Sequence, residues 1–94
     1  MNLDKAKKRI AKQINKGFDG YPQITLAYFG ASADCATEVV IGFVMEAGAA
    51  AQEQRFVSKQ DVREDEAIQS VLIRIIDRAD ARTVTEIPGV TLKT

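Results

Sequence analysis

The segment from residue 37 to residue 46 is apolar on both faces of an extended chain, and this pattern constrains the fold most. One face carries Val39, Ile41, Phe43 and Met45, and the other carries Val40 and Val44 around Gly42. A strand that is apolar on both faces lies inside a sheet rather than at its edge. The segment therefore predicts a central strand whose first face is turned to the core.

Residues 3–16 have the spacing of an amphipathic helix. Leu3, Ala6, Ile10 and Ile14 recur three or four positions apart, which places them on one helical stripe. Asn2 is a suitable N-cap, and Gly17 supplies the left-handed residue that ends many helices. The sequence predicts a first helix over about 3–16.

Alternation and capping signals indicate the remaining elements. The predicted elements are strands over 23–29, 52–58 and 82–87 and a helix that begins at the capping box Asp61-x-x-Glu64. The stripe of this helix expected to be buried is Ile68, Val71, Leu72, Ile75, Ile76 and Ala79. The order α-β-β-β-α-β predicts a single α+β domain over 1–94, an antiparallel meander sheet with two helices packed on one face. Two places for the last strand stay open, beside the first strand or beside the third.

The residue types that are missing exclude most catalytic and metal chemistry. The 94 residues contain no histidine and one cysteine, Cys35. Ser-His pairs, Cys-His pairs and most zinc sites therefore cannot be built. Ser32, Asp34 and Cys35 fall in one loop, but nothing in the sequence places a base beside them. We expect a non-catalytic protein with no metal site and no cofactor.

Hydropathy indicates a protein outside the membrane. No apolar run approaches the ~20 residues that span a bilayer, and the charged N-terminus does not have the pattern of a secretory signal. The apolar stripe of the first helix is needed for the core, unlike that of a membrane-surface helix. We expect a small bacterial-type cytosolic protein, cytoplasmic and without a membrane partner.

The charge of the chain is divided unevenly. Residues 1–17 carry six Lys or Arg and one Asp, a net charge of +5, although the net charge of the whole chain is zero. The helical spacing gathers cations opposite the apolar stripe. The candidate site for an anionic partner is Lys5, Lys8, Arg9, Lys12 and Lys16. Nucleic acid or an acidic protein surface would suit it, and the alternative is a solvated face that balances the acidic remainder.

The element order resembles that of the double-stranded-RNA-binding domain at the level of the fold alone. Such domains place lysines at the start of the second helix, where the helix dipole helps hold phosphates. Here that position reads Arg63-Glu64-Asp65-Glu66. Three carboxylates there would repel an RNA backbone, so the sequence excludes RNA recognition in that mode.

The sheet face turned away from the helices is the second candidate surface. Its candidate interface residues are Ala27, Phe29, Val40 and Val44. An apolar patch of this kind often marks an interface, and a second copy could bury it in a homodimer. The alternative is a mildly apolar, solvated sheet. The favoured function is an interaction or regulatory module that binds a protein partner or itself. The alternative function is a nucleic-acid-binding accessory protein.

Overall fold

The computed structural model describes residues 2–92, which form two helices and five strands. The elements are α1 (Leu3–Asn15), β1 (Gln23–Gly30), β2 (Glu38–Val44), β3 (Gln52–Val57), α2 (Glu66–Ala79), β4 (Thr83–Glu86) and β5 (Thr91–Leu92). A 3₁₀ turn, Val62–Glu64, precedes α2. The predicted α+β class is confirmed.

β2 lies inside the sheet, as its apolar pattern predicts. The strand order is β3-β2-β1-β4, and β5 adds a short parallel pair at the end of β1. β1 pairs with β2 and β2 pairs with β3, both antiparallel, so the predicted meander is confirmed for these three strands. β4 pairs with β1, which is one of the two positions that the sequence leaves open.

The pairing of β4 with β1 is parallel, so the sheet is mixed rather than antiparallel throughout. β3 runs antiparallel to β2, as β1 does, and β3 therefore has the same direction as β4. Two strands of one direction need a crossover between them, and α2 supplies it by carrying the chain from one edge of the sheet to the other. This long-range connection leaves no local signature in residues 82–87.

Both helices cover the same face of the sheet. Ile24 and Leu26 of β1 are 0% exposed, and they belong to a cluster to which both helices contribute. That cluster includes Ile10, Ile24, Leu26, Tyr28, Val39, Ile41, Leu72, Ile73, Ile76 and Val84. Buried and half-buried residues alternate along β1. We call the opposite face, which carries Thr25, Ala27 and Phe29, the outer face.

α1 begins and ends at the predicted signals. Asn2 Oδ1 accepts a hydrogen bond from the backbone N–H of Lys5 at 2.8 Å, which satisfies a donor of the first turn. Gly17 has a φ of +74°, a conformation that glycine adopts without a steric penalty. The helix over Leu3–Asn15 therefore differs from the predicted 3–16 at its last residue alone.

α2 begins later than predicted. Asp61 caps the 3₁₀ turn, because its Oδ1 accepts from the N–H of Arg63 at 2.9 Å. Asp65 caps α2, because its Oδ1 accepts from the N–H of Ile68 at 3.2 Å. The capping box predicted at Asp61 is therefore wrong as the start of the α-helix. The buried stripe also includes Ile73, which is 1% exposed and is absent from the predicted stripe.

The core assignment of Met45 is wrong as well. β2 ends at Val44, so the alternation of buried and outward residues does not continue to Met45. Its side chain is 66% exposed. Phe43, the preceding member of the same predicted face, packs against the core but is partly buried.

Candidate interaction surfaces

The basic residues of α1 divide into those that bind acidic side chains and those that do not. Lys7 Nζ lies 2.8 Å from Glu64 Oε1. Arg9 Nη2 lies 2.9 Å from Asp77 Oδ2. The basic residues of α1 and its C-cap that make no ion pair within residues 2–92 are Lys5, Lys8, Lys12 and, at the C-cap, Lys16.

Arg9, one of the predicted site residues, is therefore a contact between the two helices. The side chains of Arg9 and Asp77 are 47% and 49% exposed, so this pair contributes less than about 1 kcal/mol. The four lysines without an ion pair are exposed, whereas Ala6 and Ile10 of the same helix are buried. α1 and its C-cap thus present four ammonium groups over about 16 Å along the helix axis, at 1.5 Å per residue.

The predicted sheet-face residues all lie on the outer face, two of them side by side. Ala27 pairs with Val40, whereas Phe29 lies towards one end of the β1–β2 pair and Val44 at the other. Val40 is 8% exposed and therefore offers little contact area. Ala27, Phe29 and Val44 are half-buried. Three of the four residues remain accessible to a partner.

An ion pair crosses the outer face between neighbouring strands. Arg55 Nε lies 3.3 Å from Glu38 Oε1, and the two side chains are 64% and 5% exposed respectively. A buried carboxylate is costly without a partner, and Arg55 provides the compensating charge. Arg55 also lies opposite Val40, so it borders the most deeply buried apolar residue of this face.

Two exposed apolar residues of the outer face are missing from the sequence-based set. Val57 is 67% exposed and Ile87 is 47% exposed. Val57 lies opposite Glu38. The N–H of Ile87 donates to the carbonyl of Leu26 at 2.9 Å, which continues the β1–β4 pairing by one residue. Glu86 lies opposite Leu26 on the helix-covered side, so alternation along the strand turns Ile87 to the outer face. Their position depends on strand register and on the β1–β4 pairing, and local alternation reveals neither.

A half-open cavity of about 500 Å³ lies between α1, β1 and β4. Tyr28 and Glu86, whose pKa values are shifted from their ordinary values, both line it. Burial raises the pKa of Tyr28 to about 12, so its hydroxyl remains protonated at neutral pH. Burial also raises the pKa of the Glu86 carboxyl, and the charge of Arg63 opposes this shift. A protonated phenol is a poor nucleophile and a poor base. The hydroxyl of Tyr28 is therefore not an activated nucleophile.

The loop that contains Cys35 forms a tight turn. The N–H of Cys35 donates to the carbonyl of Ser32 at 3.4 Å, and Ser32 and Asp34 are exposed. A Cβ at Gly30 would overlap the Cys35 carbonyl oxygen, so this approach of two backbone segments requires glycine. Within residues 2–92, no three acidic or cysteine side chains are grouped so as to hold a metal ion.

Comparison with protein-family models, curated proteins and solved structures finds no match for this chain. None of the helices in the described part of the chain is long and apolar enough to cross a bilayer. The surfaces themselves therefore carry what can be inferred about function.

The contact between Asp61 and Arg63 makes stability depend on pH. Asp61 Oδ2 lies 2.6 Å from Arg63 Nη2, and the hydrogen bonds from Arg63 lower the pKa of Asp61 from 3.8 to about 2. Because the pKa is lower in the folded state, this contribution is complete above the unfolded pKa and is lost as the pH falls through the folded pKa.

Asp61→Asn should therefore lower the free energy of unfolding at neutral pH and flatten its decline between about pH 5 and pH 2. Urea unfolding at a series of pH values measures both effects. Arg63→Gln is the matched variant, because it removes the cause of the shift and should flatten the same interval. A decline in Asp61→Asn as steep as in the wild type would contradict this assignment.

Proposed function

We propose that this protein is a non-catalytic interaction module and that its outer face binds another protein chain. The observation that carries the proposal is the one-sided packing of the sheet. Both helices contribute to the core that buries Ile24 and Leu26, whereas Val57 and Ile87 are exposed on the outer face. Exposed apolar side chains gain free energy when a partner removes them from water.

The composition of the outer face favours a flat partner surface with apolar side chains. Gly42 lies opposite Thr25, and Ala27 is two positions further along β1, so the centre of the face carries small side chains that permit close approach. The Thr85 hydroxyl donates to Thr25 Oγ1 at 3.1 Å. Apolar contacts mixed with satisfied polar groups are typical of interfaces whose members also exist alone. A second copy packed face to face would meet this description, as would a different protein.

The absence of histidine from the sequence supports a binding role over a catalytic one. General acid–base catalysis at neutral pH depends on a group whose pKa lies near the working pH, and histidine is the usual one. In the cavity beside α1, the pKa of Tyr28 lies far above neutral at about 12. Arg63 on the same wall is bound to Asp61.

A photo-reactive amino acid placed at Ile87 should cross-link a partner chain in the source cell, because this residue is 47% exposed on the outer face. The matched control is Leu92, which is similarly exposed at 57%. Leu92 pairs with Gly30, which alternation places on the helix-covered side of β1, so Leu92 does not belong to the outer face. The mass of the adduct on a denaturing gel identifies the partner. Twice the chain mass indicates a second copy packed face to face, and any other mass indicates a different protein. Equal cross-linking at the two positions, or none at either, would contradict the proposal.

The lysines of α1 support a second candidate, a nucleic-acid-binding accessory protein. Lys5, Lys8, Lys12 and Lys16 are exposed and, among residues 2–92, are not engaged by an acidic side chain. Ammonium groups in this state can bind phosphates without first breaking an internal contact. Arg9 contacts Asp77 and falls outside the group.

If α1 binds phosphates, the logarithm of the affinity for a DNA duplex should fall against the logarithm of salt concentration with a slope of roughly −3 to −4. Each lysine that contacts a phosphate releases about 0.9 counterion. Lys8→Gln should therefore reduce the slope by about 1. Lys7→Gln is the control and should leave it unchanged, because Lys7 binds Glu64. Fluorescence anisotropy measures the slope, and no binding at low salt would remove this candidate.

A further inference from the structure

β3 is an edge strand whose free backbone groups belong to alternate residues. The N–H of Ser58 donates to the carbonyl of Thr37 at 2.8 Å, so these two residues form a hydrogen-bonded pair at the end of the β2–β3 ladder. Such pairs alternate with non-hydrogen-bonded pairs in an antiparallel ladder. From the register, the residues of β3 that bond to β2 are Gln52, Gln54 and Phe56. The backbone groups that point away from β2 belong to Glu53, Arg55 and Val57.

The hydrogen bonds on the other side of the sheet agree with this alternation. Ile41 of β2 lies opposite Gln54 of β3 on one side and opposite Leu26 of β1 on the other. Ile41 bonds towards β3, so the backbone groups of Leu26 must point away from β2. They do, because the carbonyl of Leu26 accepts from the N–H of Ile87 at 2.9 Å.

The open edge of β3 is unshielded and self-complementary in charge. All of its residues except Phe56 are exposed, and it contains no proline to block pairing. If a second β3 pairs antiparallel with this edge, the residues whose backbone groups point away from β2 must lie opposite one another in the two copies. The central registers that satisfy this condition place the two-fold axis at Glu53, Gln54 or Arg55. An axis at Glu53 or Arg55 sets two like charges directly opposite each other, which is destabilising.

An axis at Gln54 sets Glu53 of each copy opposite Arg55 of the other. It thereby forms two pairs of opposite charge on the outer face, together with the backbone hydrogen bonds of the same residues. We propose that the open edge of β3 binds a second copy of this chain, antiparallel, in this register. The result is one continuous sheet with all helices on one side and two adjoining outer faces on the other.

The side chains at the edge can form these pairs. Glu53 makes no ion pair within residues 2–92, so its carboxylate is available to the second copy. Arg55 is 64% exposed and contacts Glu38 through Nε, so a second carboxylate can be bound at its terminal nitrogens. Edge charges often prevent indiscriminate pairing. Here they reject the two neighbouring registers and select the one centred on Gln54.

A groove beside β3 continues across the same two-fold axis. This cavity of about 510 Å³ is lined by Phe43, Gln54 and Ile75 among others, on the helix-covered side of the sheet. Because Gln54 lies on the axis, the groove of the second copy would adjoin it. The two half-open grooves would then form one continuous groove along the paired β3 strands.

The edge contact goes beyond the proposed function, because it uses the backbone of β3 and leaves both outer faces free. Sedimentation velocity over a range of protein concentrations tests it. The wild type should dimerise, and Glu53→Arg should raise the dimer dissociation constant about tenfold or more, because the introduced guanidinium would then face Arg55 of the second copy. The matched control is Asp4→Arg, a charge reversal at an exposed residue of α1, and it should leave the constant unchanged. Ile87→Lys tests separately whether the outer face contributes to self-association.

Two further measurements separate charge complementarity from loss of folding. Salt should weaken the wild-type dimer but strengthen the Glu53→Arg dimer, because it screens attraction in the first and repulsion in the second. An equal mixture of folded Glu53→Arg and Arg55→Glu chains should form heterodimers, since each then meets its opposite charge. Arg55→Glu places a second carboxylate near Glu38, and circular dichroism shows whether this variant folds. If it does not fold, the opposite salt responses of the wild type and Glu53→Arg test the charge pairing without it.

A monomeric wild type at high concentration would overturn the proposal, as would salt responses of the same sign in the wild type and Glu53→Arg. A dimer that Ile87→Lys dissociates and Glu53→Arg does not would also overturn it. That last result would support face-to-face packing and so leave the proposed function standing.

Discussion

The packing of both helices on one face of β1 and β2 is the constraint on which the rest of the structure depends. Ile24, Leu26, Leu72 and Ile76 are at most 2% exposed. Full burial of such a side chain contributes roughly 1.5–3 kcal/mol of transfer free energy. Both helices of the described chain are used for this layer, so neither covers the outer face, and the strand order leaves β3 at an edge of the sheet. The surfaces available for function follow directly from this division.

Three surfaces remain, and different physical interactions govern them. The lysines of α1 act through charge and are sensitive to salt, whereas the outer face acts through apolar burial and the β3 edge through backbone hydrogen bonds. Arg55 belongs to two of these surfaces, because its side chain holds Glu38 on the outer face while its backbone faces the edge. α1 packs against α2 and β4, at the opposite side of the sheet from β3. Pairing at the edge would therefore leave the lysines accessible and double the area of the outer face.

Much of the fold could be predicted because its signals are local. Asn2 and Gly17 mark the ends of α1, and alternation in 23–29 gives both faces of β1 correctly. The start of α2 could not be resolved, because Asp61 and Asp65 are both good caps and one turn separates them. The end of β2 at Val44, and with it the exposure of Met45, depends on where the partner strands end.

The sequence predicts the candidate surfaces only where helical or strand periodicity determines which face a residue occupies. Helical spacing places the α1 lysines correctly, but the contact of Arg9 with Asp77 depends on how the helices cross. Alternation assigns Ala27, Phe29, Val40 and Val44 to one face, yet it does not show that Val40 is covered. Long-range pairing sets the places of Val57 and Ile87 on the outer face, and no pattern within a single strand encodes it.

Hydrogen exchange at the backbone amides of β3 tests most directly the claim that β3 has an open edge that a second copy closes. In dilute protein, we predict slow exchange at Gln54 and Phe56, whose amides bond to β2, and fast exchange at Glu53 and Arg55. Raising the protein concentration should slow exchange at Glu53 and Arg55 while leaving Gln54 and Phe56 as they were. Fast exchange at Glu53 and Arg55 at every concentration, or protection of both in dilute protein, would contradict the claim.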